Sequence, residues 1–432
     1  MLYKLLLILT CLSLLTGQSM FNRWVGSDSF SGSTKSTAMG NSHILNSTGS
    51  SNTRFNPANL MNENSIFNFD IQLERTSIFE RWSMPIRDSF EDILANADYV
   101  ANEFSYFGIR VGLSSSINIF KLGKIGIGCH SAPLTHFKYN YTEEIRGTNQ
   151  IEDGEYESKD PIVGYHNLKT SGSLQMSSLG AGFGINIIKN IELGLGISIN
   201  KIHRSTIKDE VIIDTLYLDD LTNLSTLPNV NQQSKTNETN FITLSTMLKL
   251  TPKIIIASTW ENSAKLKSDN SSIIINQENG LFQYWNDQDY ATNGYDYLKP
   301  EFLGLGVSFI SHNQSKTSIS FELNQIIYDE HHYLNDFKII KFGFEHITQL
   351  GTPIRAGLTY KMPAINVMEP TTKFTFGSGK KINNLILDIT GTYYLQSFQH
   401  PDLFPVEGDV RFDYDLVRDS QFYLSLSLSY SL

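Results

Sequence analysis

The sequence predicts an all-β protein, a 14-stranded antiparallel transmembrane β-barrel with an N-terminal hatch in the lumen. Three observations predict this fold: segments in which apolar and polar residues alternate, an even number of such segments, and connections that are alternately short and long. The alternation is clearest at the end of the chain, because successive side chains of a strand point to opposite faces. One face there carries Phe422, Leu424, Leu426, Leu428, Tyr430 and Leu432. The opposite face carries mostly serine, which suits lipid outside and a polar lumen inside.

An export signal precedes the predicted barrel. Lys4 is the only charged residue before an apolar run at 5–15, and the small residues Gly17 and Ser19 then offer a cleavage site. We therefore predict that residues 1–19 are a secretory signal peptide. The predicted location is the cell outer membrane of a Gram-negative-type bacterium.

The cysteines and the net charge set further limits. Cys11 and Cys129 are the only cysteines, so a mature chain that has lost the signal has no intramolecular disulfide. A lipid anchor on Cys11 is the alternative to simple cleavage, but Thr10 stands where a lipoprotein signal has Gly, Ala or Ser. The formal net charge of -10 argues against nucleic acid as a partner.

Residues 20–65 are predicted to form the hatch. They are rich in Ser, Thr, Asn and Gly and show neither a helical nor a strand period. Fourteen strands enclose a lumen wider than the wall's side chains alone can fill, so a segment folded inside would close the pore. The alternative is a disordered leader ahead of an open pore.

Residues 66–432 are predicted to form the barrel. The fourteen strands are placed at 66–76, 104–118, 123–138, 168–187, 191–208, 238–250, 254–268, 300–312, 316–329, 337–348, 353–364, 370–380, 384–398 and 420–431. Outer-membrane barrels have short turns on the periplasmic side and long loops outside, and the predicted connections keep that parity. A soluble β-sandwich has no reason to keep it. Several charged residues fall on the lumen side and are expected to bond to each other or to the hatch: Glu192, Lys249, Glu322, Lys341, Glu345 and Asp388.

Two short motifs in the hatch add a family resemblance. They are Ala38-Met39-Gly40 and Phe55-Asn56-Pro57-Ala58. Together with fourteen strands, this pair resembles the start of the FadL-like outer-membrane transport superfamily, which is related to the PorV-type barrel of type IX secretion. Asn59 stands where those families usually have glycine. The resemblance implies a plugged channel that admits hydrophobic small molecules, such as a long-chain fatty acid or a hydrocarbon.

The third predicted strand contains a break at Ser131, Ala132 and Pro133. Proline cannot donate to a β-ladder, so within a closed sheet it forces a bulge, a kink or a gap. In the fatty-acid transporters of the resembled family, the third strand kinks inward and opens a lateral gap through the wall. The resemblance therefore implies a lateral gate at these three residues. The alternative is that Pro133 lies at the outer rim, where strand pairing has already ended.

Catalytic and metal-binding patterns are weak. His130 and Ser131 are adjacent on a strand, so their side chains point to opposite faces and cannot act as a pair. The cluster at 329–332, Asp-Glu-His-His, has no further ligand at a defined spacing and reads as a solvated loop. We therefore expect no enzyme, no cofactor and no metal site.

Three functional interpretations remain open. The first is a channel for hydrophobic small molecules with a lateral exit. The second is a type IX secretion-associated barrel that binds or anchors cargo proteins, and the third is a general diffusion porin. The expected partners are outer-membrane lipid and lipopolysaccharide, the barrel assembly machinery, and either a hydrophobic small molecule or an exported protein. We expect a monomer.

Overall fold

The structure is a computed structural model. It describes residues 20–27, 32–63, 66–90, 92–119, 123–146, 162–188, 191–215, 230–267, 297–312, 316–328, 334–365, 368–400, 402–403 and 414–432. The predicted signal peptide, the lipidation alternative at Cys11 and the acidic and histidine cluster at 329–332 lie outside these residues.

Twenty strands are present among the described residues. They are β1 (Asn68–Arg87), β2 (Ile93–Ile119), β3 (Gly123–His136), β4 (Tyr139–Arg146), β5 (Ile162–Ser171), β6 (Ser173–Ile188), β7 (Ile191–Ile202), β8 (Thr206–Thr215), β9 (Val230–Lys235), β10 (Thr239–Thr251), β11 (Ile254–Glu261), β12 (Ala264–Leu266), β13 (Tyr297–Lys299), β14 (Glu301–His312), β15 (Lys316–Ile327), β16 (Phe337–Ile347), β17 (Pro353–Lys361), β18 (Thr371–Ile382), β19 (Leu385–His400) and β20 (Asp415–Ser431).

Fourteen of these strands close into one barrel in the order β1-β2-β3-β6-β7-β10-β11-β14-β15-β16-β17-β18-β19-β20. Each barrel strand is antiparallel to its neighbours, and β20 pairs with β1 to close the sheet. The predicted fold class is confirmed.

The two faces of the barrel wall follow the alternation in the sequence. Leu426 is 48% exposed on the outside, whereas Ser425, its neighbour in sequence, is 0% exposed on the lumen side. The outside therefore carries an apolar band that only lipid would cover, and the lumen carries buried polar groups. Among the described residues, no helix is both long and apolar enough to cross a membrane.

The predicted lumen charges do form ion pairs. Lys249 Nζ lies 2.7 Å from Glu192 Oε2, and Lys341 Nζ lies 3.8 Å from Glu322 Oε2. Arg355 pairs with two carboxylates: its Nε lies 2.7 Å from Glu345 Oε2, and its Nη1 lies 2.5 Å from Asp388 Oδ1. The sequence pattern therefore located these side chains on the correct face.

The strand boundaries need correction on the extracellular side. The predicted loop 77–103 is mostly strand, because β1 and β2 continue as a hairpin beyond the apolar band. The predicted loops at 139–167 and 209–237 contribute β4, β5, β8 and β9, which form a separate four-stranded sheet. These strands do not face lipid, so their residues lack the apolar alternation by which we located the others.

The hatch consists of short helices packed inside the barrel. They are four α-helices, at Asn22–Val25, Thr34–Ala38, His43–Asn46 and Asn52–Phe55, and two 3-10 helices, at Gly49–Ser51 and Pro57–Asn62. Most of their side chains are buried, including polar ones such as Thr34, Thr37 and Asn52. The N-terminal hatch in the lumen is therefore part of the confirmed fold.

Candidate functional site

The first hatch motif packs against bare backbone on one side of the lumen. Met39 and Gly40 lie against Gly343 and Gly357 of β16 and β17, where an added Cβ would overlap hatch backbone atoms, and Ala38 lies against Gly377 of β18. Gly40 has a φ of +70°, a left-handed conformation that favours glycine. Two barrel threonines hold its backbone. Gly40 N–H donates to Thr375 Oγ1 at 2.8 Å, and Thr359 Oγ1 donates to its carbonyl at 2.7 Å.

The second hatch motif packs in the same way on another part of the wall. Pro57 and Ala58 lie against Gly182 and Gly196 of β6 and β7, and a Cβ at either glycine would overlap the hatch backbone. Ala58 N–H donates to Ser245 Oγ at 2.8 Å. The remaining motif residues also bind: Asn56 Nδ2 donates to Ile44 O at 2.7 Å, and Phe55 O accepts from Thr259 Oγ1 at 2.9 Å.

The wall glycines that receive the motifs were not predicted from the sequence. The two that receive the second motif belong to pairs at alternate positions, Gly182 with Gly184 and Gly194 with Gly196, so the members of each pair share the lumen face, whereas Gly343 and Gly357 stand singly. Glycine in a strand interior often marks a place where another backbone comes close. That spacing, on strands otherwise rich in β-branched residues, was the available signal.

Buried ion pairs also tie the hatch to the wall. Arg54 of the hatch pairs with Glu261 of β11, which Lys299 also contacts at 2.9 Å. The Arg54 guanidinium lies over the Phe55 and Phe241 rings, 5.0 and 4.7 Å from their centroids. Burial lowers the pKa of Arg54 to about 9. Removing one partner of such a pair would leave an uncompensated buried charge, which is strongly destabilising.

Glu63 links the end of the hatch to its middle. Its Oε1 accepts from Gly49 N–H at 2.9 Å and from Asn52 Nδ2 at 3.0 Å. Burial, reinforced by the neighbouring carboxylate of Asp70, raises the pKa of Glu63 to about 7.

The pKa of Glu63 predicts a pH-dependent hatch. Because the folded pKa lies above the unfolded value of about 4.3, the contribution of Glu63 to stability is present at low pH and is lost as pH rises through about 7. Brief channel openings in planar bilayers should therefore become more frequent between about pH 4 and about pH 7 and should change little above that range. Glu63→Gln should remove most of that dependence. An unchanged pH profile in the Gln variant would show that other groups control hatch seating.

A cavity of about 280 Å³ lies above the hatch, on its extracellular side. Apolar side chains from the hatch, the wall and the outer loops line one part of it; they include Phe21, Val25, Leu134, Phe302, Ile326, Leu334, Phe337 and Ile365. Charged side chains line the rest: Arg54, Lys299, Lys341, Lys361 and Lys373 are cationic, and Glu261 and Asp419 are acidic. The cavity therefore has an apolar side and a polar side with an excess of cations.

The predicted break lies where β2 and β3 separate. Their ladder begins at the periplasmic side and ends at the pair Val111 and Ser131. β2 continues for eighteen further residues, from Arg110 back to Ile93, and there it pairs only with β1. β3 continues through Ala132 and Pro133 but pairs only with β6, and its register shifts between Pro133 and Thr135. Ser131, Ala132 and Pro133 thus lie at the lower corner of an unpaired stretch of wall.

Side-chain contacts replace the ladder across this unpaired stretch, and Thr142 N–H of β4 donates to Asn102 Oδ1 of β2 at 3.2 Å. The Tyr106 and His136 rings lie 4.4 Å apart, and Lys138 Nζ donates to Ser105 O at 3.2 Å. From the lumen side, Ser27 N–H donates to His136 O at 2.8 Å, so the hatch segment takes hydrogen bonds that β2 would otherwise supply. Leu134, Thr135 and Ser27 also line the cavity, so the cavity reaches the unpaired stretch.

The closed wall, the apolar outer band and the seated hatch define a plugged membrane barrel of the outer-membrane type. Its fold is similar to that of solved structures described as a FadL homologue and as a toluene transporter. A Pseudomonas aeruginosa FadL homologue matches with 12% identity and a TM-score of 0.52, covering 94% of this chain and 99% of that one.

Two toluene transporters have the same fold. TodX of Pseudomonas putida is 14% identical with a TM-score of 0.52, covering 95% of this chain and 100% of that one. TbuX of Ralstonia pickettii is 12% identical with a TM-score of 0.51, covering 93% of this chain and 98% of that one. No family model and no curated protein matches the sequence.

Proposed function

We propose that this protein is an outer-membrane channel that admits hydrophobic small molecules and releases them sideways into the membrane. The observation that carries the proposal is the position of the cavity. It lies outside the hatch and reaches the stretch where β2 and β3 are unpaired. A molecule in the cavity thus has the hatch below it and a gap in the wall ladder beside it. The similarity to structures described as toluene transporters supports this class of cargo.

The lining of the cavity favours an amphiphile over a plain hydrocarbon. Five cationic side chains and two carboxylates line it; Glu261 neutralises Arg54 and contacts Lys299, and Lys341 is paired with Glu322 of β15. The excess positive charge would attract an anionic end group, while the aromatic side would hold an alkyl or aryl body. We therefore favour a long-chain or aromatic carboxylic acid as the substrate, with neutral hydrocarbons as the second choice.

The seated hatch argues against a general diffusion porin, because its buried helices lie across the lumen between the cavity and the periplasm. The proposed setting remains the outer membrane, with lipid and lipopolysaccharide around a monomeric barrel that the assembly machinery inserts. A transport role, without catalysis, accounts for the site.

Pro133→Val tests the lateral route. Valine restores the backbone donor that proline lacks and favours a straight, paired strand. Uptake of a fluorescent long-chain fatty acid by cells should fall toward the level of cells without the barrel, with equal amounts of barrel in the membrane. Pro353→Val is the matched control, because Pro353 starts β17 where the ladder is complete, and it should leave uptake unchanged. Full uptake by the Pro133 variant would contradict the lateral exit.

A further inference from the structure

Two carboxyl groups face each other at the seam of the barrel, and neither forms an ion pair with a side chain in the described part of the chain. Glu80 of β1 and Asp419 of β20 are direct cross-strand partners on the lumen side, and they are 0% and 4% exposed. The residues next to them in the same row, Asn102 of β2 and Gln396 of β19, are neutral amides. Like charges directly opposite each other in a sheet are destabilising, and burial increases the cost.

Most of the oxygens of this pair have no hydrogen-bond donor. Glu80 Oε1 accepts from Trp82 Nε1 at 2.7 Å and from Tyr139 Oη at 2.8 Å. Glu80 Oε2 and both oxygens of Asp419 are buried, and the two carboxyl groups are within hydrogen-bond reach of each other, which two carboxylates tolerate only with a proton or a cation between them. Buried carboxylate oxygens left in this way are rare in native proteins and call for a cation or a shared proton.

The first described residues of the chain share a buried cluster with an indole that donates to this pair. Met20 and Phe21 are 1% and 2% exposed and belong to the same buried cluster as Trp82, the indole that donates to Glu80. The Phe21 ring lies 6.1 Å from the His400 ring, which lies 5.6 Å from the Trp82 ring. Arg23 is paired with Asp209.

The sequence provides a cation at this point. Gly17 and Ser19 place small residues three and one positions before the bond that joins Ser19 to Met20, which is the pattern for signal-peptide cleavage. Hydrolysis of that amide adds water across the bond, leaving a carboxylate on Ser19 and a protonated amine on Met20. We propose that the α-ammonium group of Met20, freed by this cleavage, is the counter-ion of Glu80 and Asp419.

This ion pair would make processing part of folding. The new ammonium group would fix the N-terminal segment beside the seam, and that segment carries Phe21 and Ser27, which line the cavity. An uncleaved chain would have a neutral amide at the same place and would leave the two carboxyl groups unpaired. The proposal does not depend on which molecule the cavity binds.

Two measurements test it, and neither uses transport. The first is the intact mass of the barrel purified from the outer membrane, which should correspond to a chain that begins at Met20. A chain that begins at Gln18 or earlier would overturn the proposal, because its ammonium group would be displaced from the pair.

The second measurement is the reactivity of the α-amine toward an acylating reagent near neutral pH, followed by mass spectrometry of the N-terminal peptide. The paired amine should react slowly in the wild type. Glu80→Gln and Asp419→Asn, tested singly, should each accelerate acylation on the order of tenfold, because each removes one partner of a buried charge. Asp98→Asn is the control, since Asp98 lies on β2 in an exposed ion pair with Arg81, and it should change nothing.

The outcomes are distinct. Slow acylation that both seam variants accelerate supports the pair. Acylation at the same rate in all four proteins overturns it and assigns Glu80 and Asp419 to a shared proton. If the wild-type protein does not transport hydrophobic molecules but its Met20 α-amine still reacts slowly, only the proposed transport function is contradicted.

Discussion

Gly196→Ala is expected to unseat the hatch and raise the conductance of the barrel in planar bilayers. An added Cβ at Gly196 would overlap the backbone of Pro57 and Ala58, and neither backbone can move without disturbing the second hatch motif. Ala58 N–H would lose its bond to Ser245 Oγ, and the adjoining buried contacts would loosen. The conductance should approach that of a barrel from which residues 20–60 have been deleted.

Two comparisons make this result specific. Gly304→Ala introduces the same methyl group on the same face, but there the nearest atom is the end of the flexible Ile44 side chain, so conductance should stay low. In the deleted barrel, Gly196→Ala should have no effect, because the contact that it disturbs is absent. If Gly196→Ala keeps the wild-type conductance, the contact with the wall does not hold the hatch.

Leu426→Arg is expected to impair assembly strongly. Leu426 is 48% exposed on the outer face near the middle of β20, with Leu73 and Ile389 as its cross-strand neighbours. Arginine on the lipid face near the bilayer midplane costs about 2–4 kcal/mol. The fraction of barrel that runs as the folded form in unheated gel electrophoresis should fall accordingly.

Ser427→Arg, one residue away, supplies the control. Ser427 faces the lumen and lines a small polar space with Asp70 and Arg110, so the guanidinium group would have water and a carboxylate nearby. Its effect on the folded fraction should be clearly smaller. Equal losses at both positions would contradict the assignment of the two faces of β20.

The sequence predicted the barrel wall well because lipid imposes a simple rule on it. All fourteen barrel strands were located, and their periplasmic ends agree with the structure within a few residues, as at 316 and 353. Leu303, Leu305 and Val307 alternate with glycine and serine as the wall requires. Above the membrane that rule no longer applies. The upper parts of β1 and β2 and the strands of the four-stranded sheet were therefore predicted as loops.

The site was predicted only where a backbone constraint shows in the sequence. Pro133 marks the corner of the unpaired stretch, because proline has no backbone N–H to donate to a neighbouring strand. The cavity and the Glu80–Asp419 pair depend on residues far apart in the chain that only barrel closure brings together, and no local pattern records such contacts. The motif residues were recognised by resemblance, while their partners, the wall glycines, follow from how closely two backbones approach.

The seam between β1 and β20 has a consequence for the detection of misassembled barrels. The same strand that completes the wall also contacts the hatch, since Thr34 Oγ1 lies 3.0 Å from Ser425 Oγ. Slippage of β20 by one residue would turn every side chain to the other face and bring a leucine to Thr34 in place of serine. A mis-registered seam and a displaced plug would then occur in the same molecule. Proteases that survey the envelope would need to detect only one of these errors in order to remove both.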